Sequence, residues 1–308
     1  MTTMTATPML RSLGEFGLIQ RLTRRVRVDA SVRHGIGDDA AVIIPDAGRH
    51  LLLSTDMLVD GVHFLWGKHP ADGIGWKALA CGVSDIAAMG GVPRHAAVSV
   101  GIPSKTPVRQ LERLYHGLHA VAKHFRVNLV GGDTVRAPRF VIDVAILGSV
   151  EPRHLVLRSG ASPGDRVFVT GALGGSYSSG RHLRFMPRLR ESCWLVTRHR
   201  PTAMMDLSDG LASDLQQWAA RSGVGFLIDE TKLPIARAAK TARHALMDGE
   251  DFELLFTVAA SGSTILPRRI GDTPLTEIGR VMPAALGVRL HRADGSVVPL
   301  KPEGFRHF

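Results

Sequence analysis

Residues 95–135 read HAAVSVGIPSKTPVRQLERLYHGLHAVAKHFRVNLVGGDTV, and the change of period along them decides the class of fold. The Ala- and Val-rich opening predicts a strand. From 108 to 125 the residues Leu111, Leu114, Tyr115, Leu118, Val121, Ala122 and Phe125 return at helical spacing and share one face. VNLV reverts to a strand, and a glycine turn then delivers Asp133.

The neighbouring stretches repeat the alternation. RFVIDVAILGSV (139–150) predicts a long strand, and LLLSTDML (51–58) a short buried strand whose carboxyl end opens into a loop at Ser54, Thr55 and Asp56. ADGIGWKALACGVSDIAAMGG (71–91) predicts a helix stopping at a glycine pair, which puts Asp85 on a helix. EPRHLVLRSGASPGD (151–165) carries Pro, Gly and charge and marks the domain boundary, giving an amino-terminal domain over 1–150 and a carboxyl-terminal one over 151–308. In the second, RVFVTGALGGS runs from strand into a glycine-rich loop, and MMDLSDGLASDLQQWAARSG gives a strand end, an Asp-rich turn and a helix with Leu211, Leu215, Trp218 and Ala219 on its apolar face. GFLIDE and FELLFTVA are further strands. Strands alternating with helices in both halves make the class α/β or α+β.

At 308 residues, 44% of them hydrophobic, the chain can build two ordinary cores. The amino-terminal residues lack a sustained apolar segment and no run is long enough to cross a bilayer, so a cytoplasmic protein with no membrane partner is expected. Cys81 and Cys193 stand far apart without a CxxC pattern, which excludes a disulfide framework or zinc knuckle and predicts core thiols. The formal charge of +10 suits nucleic acid, an acidic membrane surface or phosphorylated small molecules. However, the basic residues are scattered through RLTRRVRV, RHLRFMPRLR and PRRIG without an aromatic RNA-binding signature, so a solvated Arg-rich surface is the simpler reading.

Carboxylates carry the chemistry. GIGDDAAVI (35–43) sets Asp38 beside Asp39 where a loop becomes a strand, and neighbours on a strand face opposite ways, so only one of the pair looks inward. Asp56 in STD, Asp85 in SD, Asp133 in GGD, and Asp206 and Asp209 in DLSDG share the design of an acid beside Gly or Ser at the end of an apolar element. Such carboxylates, brought together, need cations between them. Mg²⁺ suits them, because it takes oxygen ligands and shares them with substrate phosphates. Each Asp taken alone reads first as a turn or helix cap, Asp209 above all, and it is their recurrence in similar contexts that favours the metal reading. There is no GxxxxGK[ST] loop, GxGxxG, HRD or DFG set, GxSxG elbow or HExxH. TGALGGS (170–176) could wrap a phosphate or simply form a surface turn.

Taken in order, GEFGLI, GIGDDAAVI, STDMLVDGVHF, KALACGVSDIAAMGG, VGGDTVRAP, LRSGASPGDRVFVTG, MDLSDGLASDL and GEDFELLFTV resemble the successive motifs of the thiamine-monophosphate kinase family, over almost the whole chain. The resemblance implies the two-domain α/β fold of the aminoimidazole ribonucleotide synthetase-like superfamily, amino-terminal domains that pair into a homodimer, and ATP bound with several Mg²⁺. It implies Mg²⁺ ligation by Asp39, Thr55, Asp56, Asp85, Asp133, Asp206 and Asp209 with Ser54 nearby, Asp38 capping the turn. Gly132, Asp133, Arg158 and Ser208 would contact ATP, and His63, Glu250, Asp251 and Phe305 the thiamine phosphate. His63 reads otherwise as a half-buried loop histidine, Phe305 as a tail residue covering the core and Arg158 as a linker cation.

The chain departs from the pattern in three places. The segment between GGS and MMDLSDGL is short, the stretch before GEDFELL is abbreviated, and Asp248-Gly249 stands where a glycine pair is usual. The implied reaction is ATP plus thiamine monophosphate giving ADP and thiamine diphosphate, with no side-chain base because the nucleophile is already an anionic phosphate oxygen. The rivals are another ATP-using member of the superfamily, such as an aminoimidazole ribonucleotide synthetase, and a basic nucleic-acid-binding protein. The second leaves the Asp set unexplained.

Overall fold

The computed structural model describes residue 18 and residues 21–34, 42–260 and 266–303. Asp38, Asp39 and Phe305 lie outside them. The chain divides into two compact units, one holding Val92–Ser149 with the described residues up to Ile86, the other Ala87–Gly91 and Val150 onward.

The first unit contains a two-stranded ribbon, β1 (Val32–His34) and β2 (Val42–Ile43), then β3 (His50–Val59), α1 (Ala71–Ala88), β4 (Val92–Ile102), α2 (Val108–Phe125), β5 (Asn128–Arg136) and β6 (Val141–Val150). The last four strands make one sheet in the order β3-β6-β4-β5. β4 and β5 run parallel with α2 as their crossover, and β6 is antiparallel to β4. The seven apolar residues assigned to the inner face of α2 are all buried. The helix ends where Arg126 turns left-handed, at φ 57°. Ala96, Val98 and Val100 of β4 and Ile142, Val144 and Ile146 of β6 supply the buried face of the sheet.

Two expectations need correction here. LLLSTDML is not a buried strand that opens at Asp56: β3 continues to Val59, and alternate residues Leu51, Leu53 and Met57 are 60%, 74% and 59% exposed. β3 is an edge strand with one covered face, so the apolar run marks an uncovered sheet surface rather than a core. VNLVGGDTV contains no glycine turn either. β5 runs through it, and the register slips between Ala96 and Ala97 of β4 so that Leu129 and Gly131 become successive partners.

The second unit is an eight-stranded sheet built from β7 (Arg166–Thr170), β8 (Ala203–Asp206), β9 (Val224–Asp229), β10 (Leu254–Val258), β11 (Arg269–Ile270), β12 (Thr273–Pro283), β13 (Val288–His291) and β14 (Val297–Pro299). Its order is β14-β13-β9-β12-β7-β10-β8, with β11 on β12. All these pairings are antiparallel except β13 with β9. Three helices accompany it: α3 (Leu189–Arg198), α4 (Leu211–Ser222) and α5 (Ala242–Met247). The two-residue period of the strands divides the core. Val167, Val169, Met205, Leu255 and Phe226 cluster with Leu211, Leu215 and Trp218 of α4, whereas Phe168, Met204, Phe256 and Val258 cluster with Leu195 and Val196 of α3.

α1 and α2 touch backbone to backbone. A Cβ on Gly75 would lie 1.9 Å from Leu114 O, and one on Gly117 would lie 1.9 Å from Asp72 O. Gly117→Ala should therefore destabilise the first unit by about 2 kcal/mol, overpacking outweighing the gain in helix propensity. Chemical denaturation of the variant measures this.

Candidate active site

In the first unit the strand alternation separates residues that stand side by side in sequence. Ser54 donates to Asp85 of α1 on the helix side of β3, whereas Thr55 Oγ1 donates to Asp143 Oδ1 of β6 at 2.9 Å on the open side. Asp56 shares the parity of Ser54. Ser99 of β4 pairs in register with both Asp143 and Asp133, so Thr55, Asp143, Ser99 and Asp133 form a polar row across the sheet. Gly132 and Asp133 are exposed on β5, just beyond the bulge. Asp143 escaped the sequence reading. Its only signal was a lone acid at an outward position of an otherwise apolar strand.

His63 follows β3 in a turn. Its Nδ1 accepts the Val59 N–H at 3.0 Å, and its carbonyl accepts Lys77 Nζ at 2.8 Å. Lys77 is fully buried on α1. The histidine ring is thus fixed as an acceptor at Nδ1, and its backbone is held by a buried cation.

The second unit brings DLSDG and GED together. Glu250 N–H donates to Ser208 O at 2.7 Å, Phe252 N–H to Leu207 O at 2.8 Å, and Leu207 N–H to Glu253 O at 2.9 Å. Both Glu250 and Phe252 are left-handed, at φ 64° and 50°. Gly210 (φ 97°) permits the approach, since a Cβ there would lie 2.9 Å from the carbonyls of Met247 and Asp248. Asp206 is buried at the end of β8, Ser208 is exposed and Asp209 is half-buried. Asp209 does not cap α4, whose N-cap is Gly210 without a side-chain bond; its Oδ2 instead accepts Gln217 Nε2 at 3.1 Å. Arg158 is anchored by its carbonyl to Trp218 Nε1 at 2.7 Å while its side chain stays exposed, close enough to pull on the Asp214 carboxyl.

Asp214 is the residue that sequence reasoning missed here. It is 1% exposed, and its Oδ2 accepts the Asp209 N–H at 3.2 Å. Burial, reinforced by the charges of Asp209 and Asp206, pushes its carboxyl up to about 8. The signal was present, because Asp214 falls on the same helical stripe as Leu211, Leu215 and Trp218, where an apolar residue is expected.

The glycine loop does not hold its N–H groups open for a phosphate. Gly174 N–H donates to Asp251 Oδ2 at 2.7 Å and Gly175 N–H to Asp248 Oδ2 at 2.8 Å, while Ser176 Oγ donates to Glu250 O at 2.6 Å. Asp251 is buried and also paired with Arg181. Burial raises its carboxyl to about 7, opposed by the Gly174 N–H and by Arg181. Behind it Glu253, buried, takes both nitrogens of an Arg188 fork at 2.6 Å, plus Arg181 at 3.2 Å and Thr170 Oγ1 at 2.7 Å. Asp251 therefore shapes the loop from within, and Glu250, half-buried, is the acid of the segment nearer the surface.

The donor set fits Mg²⁺. Its members are all oxygen ligands, and the charges of Asp209 and Asp206 add to burial in raising the Asp214 carboxyl. Among the described residues no three His, Cys, Asp or Glu side chains make a preformed cage. Mg²⁺ at a phosphoryl-transfer site does not need one, since it is held by one or two carboxylates, waters and the substrate's own phosphates.

The chain is similar to known proteins over nearly its whole length. The model for AIR synthase related protein, N-terminal domain, matches residues 37–150, and that for the C-terminal domain matches 162–291. The thiamine-monophosphate kinase of Bacillus subtilis (strain 168) is 35% identical over 325 residues, covering 96% of this chain and 100% of that one. The crystal structure of thiamine-monophosphate kinase from Stenotrophomonas maltophilia K279a superposes with a TM-score of 0.78 at 33% identity, covering 92% of this chain and 98% of that one. AaThiL complexed with AMPPCP and TMP does so with a TM-score of 0.75 at 33% identity, covering 99% and 100%.

The acidic cluster gives a signature that separates a ligand from a structural residue. Asp209→Asn should raise the melting temperature by about 1–3 °C without divalent cations, because one repelling charge is gone. The same change should abolish the further rise on adding Mg²⁺, and thermal melting with and without Mg²⁺ checks both parts.

Proposed function

The chain belongs to the thiamine-monophosphate kinase family, within the AIR synthase related proteins, and from that premise we propose that it transfers the γ-phosphoryl group of ATP to thiamine monophosphate, giving ADP and thiamine diphosphate. The observation that carries this reading is the pairing of Ser208 with Glu250 and of Leu207 with Phe252. It sets the carboxylates suited to metal and nucleotide against the segment suited to the acceptor.

The attacking atom is a phosphate oxygen, ionised at neutral pH, so no side chain has to remove a proton. The two polyanions must instead be aligned and their repulsion reduced, and bound Mg²⁺ supplies that charge neutralisation. In this reading Mg²⁺ ions would be held by Asp56 and Asp85, with Ser54 beside Asp85, on the helix side of β3, by Thr55 and Asp133 on its open side, by Asp206 and Asp209 in the second unit, and by Asp39. Ser208, Arg158 and Gly132 serve ATP in this reading. His63, Glu250 and Phe305 serve the acceptor, with Asp251 acting from behind Glu250. The activity takes place in the cytoplasm in this reading, where ATP is supplied and where Cys81 and Cys193 stay outside any disulfide. No helix among the described residues is long and apolar enough to cross a membrane.

The functional unit in this reading is a homodimer joined through the open face of the four-stranded sheet. Leu51, Leu53, Met57 and Val135 are each more than half exposed there, and such a patch favours burial against a second copy.

Two measurements test the proposal. Purified protein with labelled ATP, Mg²⁺ and a panel of thiamine esters should yield label in thiamine diphosphate alone; transfer to another acceptor, or ATP cleavage without transfer, contradicts it. Light scattering at micromolar concentration should give the mass of two chains for the wild type and of one for Leu53→Lys. A monomeric wild type would remove the dimer.

A further inference from the structure

We propose that Asp248 is a positioning residue of the acceptor site: its carboxylate latches the glycine loop to the segment that carries Glu250. This rests on the reading that the acceptor lies against Glu250.

Three successive loop residues are stitched to that segment, Gly174 to Asp251, Gly175 to Asp248 and Ser176 to Glu250 O. Asp248 differs from the other two anchors. Asp251 is buried behind the loop and braced by Arg181, which also bonds Ala172 O at 3.3 Å. Asp248 is half-buried, and with Tyr177, His244, Met247, Gly249 and Glu303 it lines an open cavity of about 430 Å³. Tyr177 comes from the glycine-loop side of that cavity, and Met247, Asp248 and Gly249 from the segment that leads to Glu250. The Gly175–Asp248 bond therefore joins two of the segments that line the cavity, through a residue that itself lines it.

The anchor itself is firm. Asp248 N–H donates to His244 O at 2.9 Å, which ties it to α5. On the far side Glu250 and Phe252 hold left-handed backbones that non-glycine residues keep only where their surroundings over-determine them. The latch supplies part of that determination. Without it Tyr177 and Gly249 can separate, and Glu250 loses its fixed aim. Uniform loss of acceptor binding appears in KM.

The test uses the full chain with Asp248→Ala and Asp248→Asn. An amide oxygen accepts the Gly175 N–H as the carboxylate does, so Asn is the conservative rescue. Hydrogen exchange without substrate should be about tenfold faster at Gly175 in Asp248→Ala, and wild-type-like in Asp248→Asn. The KM for thiamine monophosphate should rise about tenfold in Asp248→Ala with the KM for ATP unmoved, and Asp248→Asn should restore it. Ser176→Ala, which removes a second stitch from the loop side, should give the same selective rise and stands in if Asp248→Ala fails to fold. Unchanged exchange at Gly175, an equal rise in both KM values, or an Asn variant as impaired as Ala overturns the latch. A wild type that makes no thiamine diphosphate overturns the functional reading alone, and the exchange data then decide the latch.

Discussion

Backbone hydrogen bonds between Leu207–Ser208 and Glu250–Glu253 fix everything else at the second unit's site. They force two non-glycine residues into the left-handed region, at a cost of order 1–3 kcal/mol each. That conformation survives because the segment is held from behind by Glu253, whose carboxylate takes the Arg188 fork, Arg181 and Thr170. A buried acid of this kind contributes little net stability beyond an apolar residue of the same volume, yet removing one partner strands a charge. The network's value is geometric, in that it sets the course of the short acidic segment that carries Glu250.

The electrostatics of the chain divide along the same line. With a formal charge of +10 the protein is basic overall, which favours anionic substrates arriving from solution. Locally the carboxylates Asp206 and Asp209 lie near the buried Asp214, with the Arg158 cation close by. In the proposed reading these acids attract the cation that the substrate phosphates also bind. Buried Lys77, holding the His63 carbonyl, uses one cation structurally rather than for substrate.

Much of this was legible in the residues. The amphipathic helix at Val108–Phe125, the helix bearing Asp85 and the strand–turn–helix around Asp206 all follow from apolar period and turn chemistry. What failed did so for tertiary reasons. The apolar run at Leu51–Leu53 looks like core because local sequence does not reveal which side of an edge strand is covered. GGD looks like a turn because a bulge and a turn use the same glycines. The loop TGALGGS offers N–H groups in either reading, and only the fold shows that Asp248 and Asp251, more than seventy residues on, have taken two of them. Asp214 and Lys77 were readable as polar residues in apolar stripes, a mismatch with the helical period that points to a buried charge.

The central claim is that one direct transfer, achieved by alignment and charge neutralisation, replaces any nucleophile supplied by the protein. The stereochemical course at phosphorus tests it most directly. With ATP made chiral at the γ-phosphorus by isotopic oxygen, a single in-line displacement inverts configuration in the thiamine diphosphate product. Inversion is the predicted result. Retention would mean two displacements and a phosphorylated side chain between them, and would contradict the account.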